Sequence, residues 1–185
     1  FWLNAVSYFG LVFAVMAIKA DLSPRLREPQ PVRDLLTEGM LYTIREKSLC
    51  TLFVLESVTS FFGVFYMSLM PAIAKDMLGL DERGLGVAMS SIGVGALSAL
   101  LFLASVSHKP YKALMIRIAM SSFAGAMIGL SFVTMPIVAY VLIGVLGAAM
   151  MTQFNTTNTL FQLIAPEHLR GRVLSMHMWA ISGVS

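Results

Sequence analysis

IVAYVLIGVLGAAMMTQFNTTNTLFQLI, residues 137–164, is followed at once by APEHLRGRVLS, residues 165–175. The first stretch opens as an unbroken apolar run. It is longer than the about 20 residues that cross the hydrocarbon layer of a bilayer. It closes on Thr152, Gln153, Asn155, Thr156, Thr157, Asn158, Thr159 and Gln162. A proline and two arginines then mark a turn at which the chain leaves the apolar phase. Pro166 can open the next helix at its first turn, where a missing N–H costs nothing.

Working outward, the same pattern repeats. Apolar runs occupy residues 49–74, 85–106 and 113–134. Residues 1–18 read as the tail of another span, ended by Lys19 and Asp21, and residues 173–185 as the start of one more. The breaks fall at Ser23-Pro24, Lys75-Asp76, His108-Lys109-Pro110, Met135-Pro136 and Ala165-Pro166, where proline and charge interrupt the helices. The chain of 185 residues is 57% hydrophobic and 12% charged. Soluble domains carry about 25% charged residues, and half that number cannot cover a globular surface. A soluble enzyme and a nucleic-acid-binding domain are therefore excluded as reading frames. The expectation is an all-α integral membrane protein, and one that is a piece of a longer chain.

Charge placement supports this. If successive segments alternate sides, one side receives Lys19, Arg25, Arg27, Arg33, Arg45, Lys47, Lys109, Lys112, Arg117, Arg170 and Arg172. The other receives Lys75 and Arg83. Lys and Arg accumulate on the cytoplasmic side. Residues 19–48, 108–112 and 165–172 are therefore expected to be cytoplasmic, and the Lys75–Arg83 and Met135-Pro136 turns to face outward. Within residues 19–48, Val32, Leu35, Leu36, Met40 and Ile44 recur at helical spacing. This predicts an amphipathic helix, which either lies at the membrane interface or packs on its neighbours.

Few residues carry chemistry. Glu56 is the one acidic residue well inside a run. A charge at the centre of the bilayer costs at least about 2.5–3.5 kcal/mol, so its side chain should face protein or water. Glu56, Thr59, Ser60, Gly63 and Met67 make one small, polar helical stripe, with Phe61, Phe62 and Phe65 elsewhere around the helix. Two roles fit Glu56: a substrate or proton carrier, and a carboxylate that reaches water or a basic loop. Asn155, Asn158 and Gln162 form a second stripe, suited either to a polar cavity or to hydrogen bonds between helices. Gly125 and Gly129 form a small-xxx-small pattern that predicts close helix approach. His108, His168 and His177 lack ligand spacing with one another, and no metal site or cofactor is expected. No catalytic triad, phosphate loop or carboxylate pair is present in the sequence. The lone Cys50 excludes an internal disulfide.

The turn Ala165-Pro-Glu-His-Leu-Arg170-Gly171-Arg172-Val-Leu-Ser175 resembles the Pro-Glu-x-x-Arg-Gly-Arg-Val-x-Ser turn between helices ten and eleven of major facilitator transporters. Asn158-Thr-Leu-Phe-Gln162 before it is similar to that family's Asn-x-x-x-Gln. Glu38-Gly39-Met-Leu-Tyr42 is similar to a Glu-Gly-x-x-Tyr stretch of the central loop. Met70-Pro71 with Gly79, Gly84 and Gly86 resembles the outer end of helix seven and the start of helix eight. The nearest resemblance is to the bacterial enterobactin-exporter and macrolide-efflux-like branch.

The resemblance implies a part of a twelve-helix fold. Residues 1–18 would end helix six, residues 19–48 would be the cytoplasmic central loop, and residues 49–185 would form the C-terminal transmembrane domain up to the start of helix eleven. It implies a secondary active transporter of the bacterial inner membrane, exporting a small hydrophobic drug-like or siderophore-like molecule by alternating access. Protons would be the coupling ion, as in an antiporter, and the partner would be the N-terminal half of the same transporter. Glu56, Thr59, Ser60, Asn155, Asn158 and Gln162 would stand on the cavity helices, and Arg170, Gly171 and Arg172 would form the cytoplasmic motif. The turn at 108–112 departs from the pattern, lacking the Gly-x-x-x-Asp-x-x-Gly-Arg loop of many members. A different expectation, from the residues alone, is a non-transporting membrane scaffold or a subunit of a membrane enzyme.

Overall fold

The computed structural model describes residues 2–17, 32–77, 79, 81–106 and 111–182. Lys19 to Pro31, the turn residues 107–110 with His108 and Lys109, and Gly183 to Ser185 lie outside the described residues. The described chain is helical and contains no strand: α1 (Trp2–Met16), α2 (Val32–Arg45), α3 (Lys47–Ala72) with a π-helical extension at Ile73–Met77, α4 (Glu82–Val106), α5 (Lys112–Phe132), α6 (Pro136–Ile164) and α7 (Arg170–Ser182). The chain divides into two units, residues 1–31 and 32–185. In the first, α1 exposes Phe9, Val12 and Phe13. The second holds α2 to α7.

Four helices are long and apolar enough to cross a membrane: Lys47–Lys75, Glu82–Val106, Lys112–Phe132 and Pro136–Ile164, with mean hydropathy of 1.7, 2.0, 1.7 and 1.9. The shortest has 21 residues, about 31 Å at 1.5 Å per residue, which matches a hydrocarbon core of about 30 Å. Their ends are set locally. The Asp81 carboxylate accepts a hydrogen bond from the Gly84 N–H at 2.8 Å and caps α4. Pro136 occupies the first turn of α6. Pro71 stands inside α3, and the chain widens into the π turn just beyond it. Gly79, at φ 61, allows the reversal toward α4 in a region that other residues rarely adopt.

α6 is the central helix, packed against α3, α4, α5 and α7. One core joins Tyr66 and Met70 of α3 to Ala88, Phe123, Leu130, Ile143 and Leu146. A second joins Leu49 of α3 to Phe161, Leu169 and Val173. α4 and α6 touch backbone to backbone. A Cβ on Gly95 would lie 1.9 Å from the Gly144 carbonyl oxygen, and one on Gly147 would lie 2.4 Å from that of Ile92. This is how small residues hold helices together where lipid offers no hydrophobic drive. The pattern at Gly125 and Gly129 does not serve that purpose. Gly125 faces open space and Gly129 meets only the Leu142 side chain.

The outer surface is apolar. Phe61, Phe62 and Phe65 are exposed and stack edge to face on α3, while Leu101, Phe102, Phe132 and Val141 are exposed on the other spans. In water such a surface would aggregate; in a bilayer it is the solvated face.

α2 docks on α7 by the face that carries Gly39 and Thr43. Gly39 and Thr43 are buried, whereas Met40 and Ile44 are about half exposed. The side chains of Val32, Leu35 and Leu36 lie outside the described residues. A Cβ on Gly39 would meet the Arg172 Cβ at 2.9 Å and its carbonyl oxygen at 3.1 Å. Gly39→Ala should therefore loosen α2 from α7, speeding amide hydrogen exchange along residues 37–45. Gly171→Ala should not, because nothing lies within 4 Å of that position. Equal exchange in the two variants would mean that α2 is held some other way.

Candidate functional site

Glu56 lies on the inner face of α3 and is 5% exposed. Its turn of α3 faces α6 because Gly63, two turns on, leaves room there for the Met150 methyl group. With Thr59, Ser60 and Met67 it lines an open cavity of about 330 Å³, whose wall also includes Ile92, Gly147, Met150, Met151, Gln153 and Ile181. The cavity is at the lower end of the size range of small-molecule sites. Its wall is mostly apolar and rich in methionine, a side chain that repacks around differently shaped apolar ligands.

The polar groups of the wall are held in place by specific bonds. Gln153 of α6 donates to the Thr59 hydroxyl at 2.8 Å. The Ser60 hydroxyl donates to the Ile181 carbonyl of α7 at 3.2 Å. Thr59 itself donates to the Leu55 carbonyl at 2.9 Å. Gln153 and Thr157 both approach the Glu56 carboxyl. Even so, Glu56 Oε2 has no hydrogen-bond partner. A buried carboxyl oxygen left open in this way is unusual, since buried polar atoms are nearly always paired.

The second stripe goes elsewhere. Asn155 donates to the Met151 carbonyl at 3.0 Å and lines a separate cleft of about 320 Å³ with Leu103, Lys112, Thr156 and Thr159. Asn158 accepts a 3.0 Å hydrogen bond from the exposed Gln162. So Glu56, Thr59 and Ser60 come together, whereas Asn155, Asn158 and Gln162 are not brought to them. Gln153, two residues before the expected stripe, is the amide that joins Glu56. Its spacing alone could not single it out within a run of eight polar residues on a helix that has neighbours on several sides.

The basic turn has its own geometry. Arg172 forms an ion pair with Glu38 of α2, which unites two motifs far apart in sequence. Arg170 and Gly171 are exposed.

Residues 1–184 match the model of a family described as transmembrane secretion effector, a branch of the major facilitator superfamily. The chain belongs to this family. Comparison with curated proteins and with solved structures finds no match. As a member of a major facilitator family, the chain is a multi-pass membrane transporter, and among the described residues four helices are long and apolar enough to be spans. The family match favours the transporter reading over the scaffold and enzyme-subunit alternatives.

Proposed function

We propose that the chain is the C-terminal half of a proton-coupled exporter of the bacterial inner membrane, carrying a small hydrophobic drug-like or siderophore-like molecule by alternating access. The observation that carries this reading is the open carboxyl oxygen of Glu56 in a methionine-walled cavity between spans α3, α4 and α6. Such a site has one charge and much adaptable apolar surface. A hydrophobic ligand fills the apolar part, and a proton or a cationic group of the ligand satisfies the carboxylate. Proton and ligand then exclude each other at one atom, which is what an antiporter needs. In this reading α1 ends helix six, α3 to α6 are helices seven to ten, α7 begins helix eleven, and an N-terminal half supplies the facing wall of the cavity.

The test is uptake of a panel of hydrophobic dyes into inverted vesicles holding the intact transporter. A proton gradient, acid inside, should drive accumulation, and a protonophore should collapse it. Accumulation that ignores the gradient would refute proton coupling.

Orientation is tested separately. With Cys50 replaced by Ser, a cysteine at Asp81 should react with an impermeant thiol reagent from outside the cell, and a cysteine at Glu167 should not. The opposite labelling would invert the topology. The Arg172 fork should also matter beyond charge. Arg172→Lys keeps the positive-inside signal but loses the planar geometry that meets a carboxylate. Insertion should be normal and transport weaker; full activity would reduce the arginine to an anchor.

A further inference from the structure

Three helices bring buried polar side chains to one level of the bundle. Ser60 of α3 bonds to the Ile181 carbonyl of α7. Leu49 and Phe53 of α3 share a cluster with Val173 and Leu174 of α7. The two helices therefore run parallel and in register. One turn before Ser60 and Ile181 stand Glu56 and His177. α6 passes them in the opposite direction: Gln153 bonds to Thr59, and Phe161 joins the Leu49 cluster. Between those two points lies Thr157. It shares the face of α6 that carries Phe154 and Phe161, whose rings flank the His177 imidazole at 5.6 and 5.0 Å.

Glu56 is 5% exposed, and Thr157 and His177 are fully buried. Glu56 Oε2, Thr157 Oγ1 and both ring nitrogens of His177 have no hydrogen-bond partner. Three open polar groups at one level, each on a different helix, are unlike the isolated buried threonine or histidine that a packed core tolerates.

We propose that Glu56, Thr157 and His177 form one proton-holding site, with His177 as its second titrating member. The proposal rests on the proton-coupled reading of the cavity. When a change of access brings the three groups within hydrogen-bond reach, the Glu56 carboxyl gives its proton to the Thr157 oxygen as the Thr157 hydroxyl proton passes to a ring nitrogen of His177. One O–H bond breaks and one N–H bond forms, leaving a carboxylate, an imidazolium and an unchanged hydroxyl. The site is neutral overall before and after, so the step buries no net charge. The flanking rings of Phe154 and Phe161 lie within the distance at which an aromatic face attracts a cation. A lone carboxylate or a second proton would leave net charge in the bundle, and those are the states that a change of access or a bound ligand must stabilise.

Other titratable groups near α7 lie elsewhere. Among the described side chains, those of α2 and its junction with α3 are Glu38, Tyr42, Arg45 and Glu46; on α3 they are Lys47 and Cys50, all toward the basic end, and Tyr66, which bonds to Met70. Arg170 and Arg172 of α7 are at its basic end, and α6 from Gln153 to Ile164 has no titratable side chain.

The experiment uses the intact protein in lipid nanodiscs. Nitrogen-15 resonances of labelled histidine follow His177, identified by their loss in His177→Gln, and the pH-difference infrared carboxyl band follows Glu56. Coupled groups should move each other's midpoint by about one pH unit or more. Glu56→Gln should therefore shift the His177 midpoint by that amount, and Thr157→Val, which keeps shape and fold, should slow proton exchange at His177. A His177 signal that does not titrate, or keeps its midpoint in Glu56→Gln, overturns the proposal. Gradient-driven dye uptake by the unmodified transporter separates the two readings. Linked titrations without gradient-driven uptake uphold the shared site and refute proton coupling. Gradient-driven uptake with independent titrations refutes the shared site alone.

Discussion

Glu56→Gln should leave the transporter folded and inserted and reduce gradient-driven dye uptake to the level seen without a gradient. The amide keeps the size of the carboxyl and an oxygen that can accept a hydrogen bond, so the walls of the cavity stay in place. What it cannot do is change charge. A proton gradient acts only on a group whose protonation differs between states, and among the described residues no other acidic side chain lines this cavity. Glu56→Asp should retain partial uptake, because the charge persists on a shorter stem. Wild-type uptake by the glutamine variant at both acidic and alkaline pH would make Glu56 a structural residue.

Gly95→Leu should produce the largest loss of stability. Even the first carbon of a side chain at this position would stand 1.9 Å from the Gly144 carbonyl oxygen and 2.7 Å from its carbon. Backbone cannot yield as a flexible side chain does, so α4 and α6 must separate. Ile92 and Gly147, which wall the cavity from these same two helices, would move with them. Overpacking of this kind, added to lost helix contacts, should cost on the order of 3–5 kcal/mol. Thermal unfolding in detergent measures it. Gly125→Leu, placed in open space, should stay within about 0.5 kcal/mol of the parent. Similar melting of the two variants would refute the backbone contact between α4 and α6.

The spans were legible because their signal is strong and local. Long apolar runs broken by proline and charge do not fit a soluble core. Glu56 was legible for a related reason: a carboxyl in an apolar run is costly wherever it points, and Thr59, Ser60 and Gly63 at helical spacing showed which way it must point. The rest depended on neighbours. Gly95 and Gly125 look alike in sequence, yet only the first meets another backbone. On α6, Gln153 and Asn155 differ by two residues and open onto different cavities. Periodicity finds one face of a helix that has one buried side, and α6 has partners on several. His177 carried no spacing relation to any other ligand-type residue, so its place at the level of Glu56 emerges only from the register of α3 and α7. The apolar stripe of α2 suited either the membrane interface or packing on neighbours; the contact with α7 is made instead by Gly39 and Thr43, because a close approach to Arg172 needs small residues rather than hydrophobic ones.

The central claim is that proton and ligand exchange at the Glu56 cavity. Its most direct test is proton movement in proteoliposomes that hold the intact transporter and a trapped pH-sensitive dye. An outwardly imposed gradient of a transported hydrophobic dye should change the internal pH in step with dye movement, and Glu56→Gln should abolish the pH change. Dye crossing the membrane through the unmodified transporter with no change in internal pH would contradict the account.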